Sequence, residues 1–133
     1  MEEKSNEATP LRPKGDRIID ASMVSIDLSS LVEQIRQETT WKENDRNAIT
    51  VFKTKGMRIV LVALHKNAEM KPHTAAGVIS VQVLEGQIRF ATGQQSAVFK
   101  KGQMLTLHEN ISHSVFAEEE SVFLLTLATP GGL

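Results

Sequence analysis

Chemistry in this chain has to begin from its histidines, of which there are four (His65, His73, His108 and His113), because it has no cysteine and no tyrosine. A neutral imidazole offers one lone pair and one N–H, enough to ligate a divalent metal or to hold a polar group of a small molecule. His73 lies in Met70-Lys71-Pro72-His73-Thr74. His113 closes the stretch that starts at Gly102, and Val81-Gln82-Val83-Leu84-Glu85-Gly86 lies between the two. Imidazoles entering the mouth of one small barrel from different strands would give a polar corner to a container for a small molecule. Lack of thiols excludes a disulfide framework, a thiolate nucleophile and cysteine-ligated zinc or iron–sulfur sites.

The elements that would position these side chains are short. From residue 48 onward, runs rich in β-branched residues alternate with glycine-containing turns, giving eight expected strands at 48–53, 57–65, 78–85, 87–92, 95–100, 103–108, 113–117 and 122–128. Turns every eight to twelve residues without an intervening helix predict an all-β sandwich or barrel. Thr54-Lys55-Gly56 reads as a hairpin turn, and the run 57–65 is too short and too β-branched for a helix. Upstream, Leu28, Leu31, Val32 and Ile35 fall at helical spacing, with Asp27 or a Ser30/Glu33 capping box to start the helix. The expected organisation is a flexible arm over 1–20, an extension over 21–47 with a helix at about 28–39 on the outside of the barrel, the barrel over 48–129, and a tail over 130–133.

With 133 residues, the chain is long enough to bury roughly two-thirds of its unfolded surface as one domain. Fifteen basic and sixteen acidic residues are mixed along it for a net charge of −1, which gives no footprint for nucleic acid or an anionic membrane. No apolar stretch reaches membrane-spanning length, and Met1-Glu2-Glu3-Lys4 is acidic where a signal peptide would be basic. A cytoplasmic location is expected. One tryptophan and five phenylalanines are too few for a broad stacking platform.

With these strands laid out, the segment from about 48 to 128 resembles the cupin family, whose barrel carries two motifs. The second, glycine, five residues, proline, one residue, glycine, two residues, histidine, three residues, asparagine, is matched in spacing by Gly102, His108 in the proline place, Asn110 in the second glycine place, His113 in register, and Ala117 where asparagine is usual. Asparagine, like glycine, tolerates the left-handed backbone. Counting back from Gly86, the first motif's glutamate falls on Ile79, and its His-x-His supplies His73 alone. The resemblance implies a jelly-roll barrel, or double-stranded β-helix, with His73 and His113 facing one cavity. It also implies one divalent metal (zinc, iron, manganese, nickel or copper), here weakly held or absent because two imidazoles fall short of the usual three or four ligands. If residues 109–112 form a hairpin loop, His108 would stand opposite His113 and complete a triad. His65 reads as a hydrogen-bonded or solvated side chain.

Alternation from the inward position of Ile79 places Val81 and Val83 on the pocket wall, with Val115 two residues beyond His113, and sends Ser80, Gln82 and Leu84 to the other face. The expected wall is aliphatic, without a carboxylate for acid–base work. The leading expectation is a cupin that binds a small organic molecule, with a reduced or absent metal centre. A metal-dependent dioxygenase or isomerase using His73, His113 and His108 is the second, and a packed scaffold for dimerisation the third. A homodimer is expected because cupins commonly pair their sheets and because outward Leu84 is apolar.

Overall fold

The computed structural model describes Lys4–Ser5 and residues 17–129; positions 1–3, 6–16 and 130–133, which include most of the expected arm and all of the expected tail, lie outside the described residues. Two antiparallel sheets face each other. One has five strands in the order β3 (Arg46–Lys53), β4 (Met57–Leu64), β11 (Ser121–Ala128), β6 (Ile79–Glu85) and β9 (Met104–Leu107). The other has four, in the order β5 (Glu69–His73), β10 (His113–Ala117), β7 (Gln87–Thr92) and β8 (Ser96–Lys100).

Period-two alternation decides what lies between the sheets. From the five-stranded sheet come Val62, Leu64, Ile79, Val81, Val83 and Phe123, and from the other Ile88, Phe90, Val115 and Ala117, all buried in one apolar cluster. The expected wall residues Ile79, Val81, Val83 and Val115 are all in it, at 4% exposure or less.

The opposite face of the five-stranded sheet is covered as well. Helix α1 (Leu28–Gln37) starts at Asp27, whose carboxylate accepts from the backbone N–H of Ser30 at 3.3 Å and from the Ser30 hydroxyl at 2.9 Å. These bonds hold the Asp27 carboxyl below the usual carboxylate range. The cap is thus Asp27, and Ser30 is its donor. Leu31 and Ile35 of α1, with Trp41 of the short helix α2 (Thr39–Glu43), pack on Ile49, Val51, Leu61, Ala63 and Val122, each burial being worth roughly 1.5–3 kcal/mol for the larger side chains. Leu84 joins this second core. An outward apolar residue that had pointed to a dimer contact is therefore partly covered by the chain's own helix.

Three expectations change. The barrel begins at Arg46 instead of residue 48, and within the expected arm Lys4–Ser5 (β1) pairs with Ile18–Asp20 (β2). Strand β5 was not legible as a strand: Pro72 has no N–H for a ladder and its neighbours are polar. Proline is tolerated there because β5 is an edge strand. Finally, β9 and β10 form no hairpin. β9 pairs with β6 and β10 with β5 and β7, so residues 108–112 cross from one sheet to the other. Asn110 makes that crossing with φ +60°, as its replacement of a turn glycine implied, and its N–H donates to Ala75 O at 2.9 Å.

Candidate functional site

His73 and His113 are direct partners across β5 and β10. Their rings meet edge-on with centroids 4.3 Å apart. On the far side of His113 lies Phe90 of β7, nearly parallel at 5.3 Å, so the buried imidazole is held between an apolar ring and the exposed His73. A bulge in β5 makes this geometry possible. A three-residue step in β5, from Met70 to His73, matches the two-residue step from Val115 to His113, so Met70 packs on the inner cluster and the exposed His73 still sits beside His113 despite the odd spacing.

Hydrogen bonding sets the chemical state of the pair. Nδ1 of His73 lies 2.8 Å from Lys71 O, and Nδ1 of His113 lies 2.8 Å from Ile111 O. A carbonyl oxygen only accepts, so in each ring Nδ1 carries the proton and Nε2 of the neutral ring keeps its lone pair. Both imidazoles are tethered by the carbonyl two residues upstream, and each turns an acceptor outward from that tether.

The other two histidines do not join them. His108 follows the end of β9, its side chain is 83% exposed, and its Nδ1 lies 4.0 Å from Glu109 Oε1; without a β9–β10 hairpin it has no route to the position opposite His113. That corrects the triad. His65 stacks on Trp41 with ring centroids 3.5 Å apart and bonds through Nε2 to Trp41 O at 2.8 Å, a structural role that pins α2 to β4. Among the described residues no group of three His, Cys, Asp or Glu is placed to hold a metal ion. Two neutral imidazoles, with Ile79 in the carboxylate place, do not fit a divalent metal that needs three or four donors.

The interior opens at two seams. A cavity of about 130 Å³ between the β8 and β9 edges is lined by Phe90, Phe99, Leu105 and Leu107, among others. A larger cleft of about 420 Å³ opens between β5 and the β3–β4 end of the wider sheet. Its floor is Val60, Val62, Met70, Leu125 and Leu127, and Arg46 and Arg58 stand beside it. Five strands facing four leave the inner side of β3 and part of β4 uncovered, which is why Val60 and Leu125 are only partly buried. Sequence reasoning missed Phe90, Met70 and Arg58. Alternation with inward-facing apolar partners (Ile88 with Phe90, Val60 with Arg58) was the available signal for two of them; the β5 bulge hid the third.

No protein-family model matches the sequence, and no curated protein is similar to it. Solved structures are. A conserved protein of unknown function from Streptococcus pyogenes is 23% identical, with 84% of this chain and 91% of that one covered at a TM-score of 0.63. A cupin superfamily protein from Desulfitobacterium hafniense is 14% identical, covering 83% of this chain and 94% of its own at 0.67. An RmlC-like cupin family protein with a double-stranded β-helix fold, from Methanocaldococcus jannaschii, is 13% identical, covering 65% and 84% at 0.59. The two facing antiparallel sheets and these likenesses agree: the chain is a small barrel of the cupin fold.

Proposed function

We propose that the barrel binds a small, largely apolar organic molecule, whose body lies against the aliphatic wall and whose hydroxyl or N–H donates to Nε2 of His73 or His113. The observation that carries this reading is the pair of Nδ1 tethers, which leaves two acceptors at the edge of an interior whose wall holds no carboxylate. The cleft of about 420 Å³ lined by Val60, Val62, Met70, Leu125 and Leu127 does not include the histidines themselves, but it lies within the size range of small-molecule sites and favours a container over a packed scaffold. The donor set of two imidazoles argues against a metal-dependent dioxygenase or isomerase.

The test pairs a thermal-shift screen of small hydroxylated compounds with nitrogen-15 spectra of the imidazoles. A binder is expected to raise the melting temperature and to move the Nε2 resonances of His73 and His113 while leaving His108 in place. Binders that leave both resonances unmoved would refute the role given to the pair. Zinc titrated into metal-free protein supplies the second arm: sub-micromolar binding abolished by His113→Ala would restore the metal-centre reading.

A further inference from the structure

We infer that the ligand taken at the β3–β4 cleft is an anion with an apolar tail, a small monocarboxylate, whose head is held by Arg58. The inference rests on the reading that the barrel takes a small, largely apolar molecule, and it adds a charged head at the Arg58 end of the cleft, distinct from the hydroxyl or N–H that would donate to the histidine pair.

Residues of β4 alternate so that Arg58, Val60, Val62 and Leu64 share the inner face, while Ile59, Leu61 and Ala63 face the helices. Arg58 is therefore a cation at the end of an inward apolar row. Its register partners are Lys53 on β3 and Leu127 on β11, and cross-strand partners share a face. Lys53, Lys55 and Arg58 gather at the β3–β4 hairpin, and the stretch from Val51 to Arg58 has no acidic residue. Among the described residues none of these three cations has an ion-pair or side-chain hydrogen-bond partner.

Arg46, the other arginine of the cleft, behaves differently. Its Nε donates to Asp45 Oδ1 at 2.9 Å, and its Nη2 donates to Asp45 Oδ2 at 3.1 Å and to Glu69 O at 2.7 Å. This pairing raises the Arg46 pKa further and holds Asp45 below the usual carboxylate range. Arg46 is thus neutralised and fixed as a wall, and the uncompensated positive charge lies at the Arg58 end. An apolar floor ending in an unpaired guanidinium complements an amphiphile with a planar carboxylate head, which arginine meets with two parallel hydrogen bonds.

The experiment titrates the protein with octanoate and, separately, octan-1-ol, followed by backbone amide shifts and by gel filtration. Octanoate is expected to bind about tenfold or more tightly than the alcohol, with shifts at Val60, Leu125 and Met70. Arg58→Gln should bring the two within about twofold by weakening octanoate alone. Met70→Trp, which fills the cleft without touching the charge, should weaken both. Equal affinity of acid and alcohol for the native protein overturns the charge inference and leaves the apolar-ligand reading standing. Binding of neither overturns both. A dimer that dissociates on Arg58→Gln, with no octanoate shifts, assigns the cleft to a second copy of the chain and overturns the inference as well.

Discussion

Ile79→Glu is the most demanding single test of the barrel interior, because it puts the residue expected from the family motif into a wall that has been rebuilt without it. Ile79 is 4% exposed and lies in register with Leu107 on one side and Leu127 on the other, both members of the inner cluster. Loss of the isoleucine's burial costs about 2 kcal/mol. A carboxyl in that wall is desolvated, so its pKa rises from about 4.3 in the unfolded chain; an upward shift of about three units is worth about 4 kcal/mol once both states are ionised. The sign follows from linkage. With the folded-state pKa above the unfolded one, the electrostatic penalty is absent below about pH 4, grows by about 1.4 kcal/mol per pH unit through the window between the two pKa values, and is constant above it. The variant should therefore lose about 2 kcal/mol relative to the native protein at pH 4 and about 6 kcal/mol at pH 8, a large part of a domain's 5–15 kcal/mol. Urea unfolding of both proteins across that range measures the difference directly. A difference that does not vary with pH, or that stays below about 1 kcal/mol throughout, would refute the placement of residue 79 in a closed aliphatic wall. Added zinc gives a further readout: a concentration 100 times its Kd would return about 2.7 kcal/mol if the new carboxylate and the two histidines converge.

Gly86→Ala should cost more than Gly102→Ala: both have positive φ (+84° and +87°), so each incurs about 1–2 kcal/mol of backbone strain, but only at Gly86 would the new Cβ overlap Glu120 O; paired thermal melts decide it. Trp41→Ala should remove about 3–5 kcal/mol and take away the stacking partner of the His65 ring, seen as a lowered melting temperature with a shifted His65 resonance, while the bond from His65 to the backbone carbonyl of residue 41 can persist. Asp27→Ala should lower helix content in far-ultraviolet circular dichroism at neutral pH. Because the folded-state pKa of Asp27 is depressed, its contribution is present above the unfolded value near 3.8 and fades as pH falls through the folded one, so native and variant should converge in strong acid.

Those effects fall on residues that differ in how openly the sequence announced them. The strands with β-branched alternation, β4 and β6 among them, were legible because burial on the sheet faces selects that pattern. The outside helix was legible from Leu28, Leu31, Val32 and Ile35 for the same reason. Strand β5 was not, since an edge strand built around Pro72 owes its place to its neighbour β10 more than to its own composition. His113 and His73 were legible from motif spacing, but the meeting of their rings depends on a bulge that no local pattern encodes. His108 failed because a four-residue gap between strands was read as a hairpin. In a two-sheet barrel the same gap crosses between sheets, and pairing partners are then chosen by distant residues. Arg58 was hidden by the ordinary look of an arginine beside a turn.

The order of strands in the wider sheet has a consequence for how the chain comes into being. β11, the last strand described, lies between β4 and β6, and it contributes Phe123 to one core and Val122 to the other. While a nascent chain still lacks it, β4 keeps one ladder edge open, β6 does likewise, and neither core closes. Synthesis runs from the N-terminus, so each of these two apolar strands waits with one edge unpaired until β11 has left the ribosome. The barrel is thus sealed from its C-terminal end, and a truncation that removes β11 should yield an aggregating chain instead of a smaller barrel.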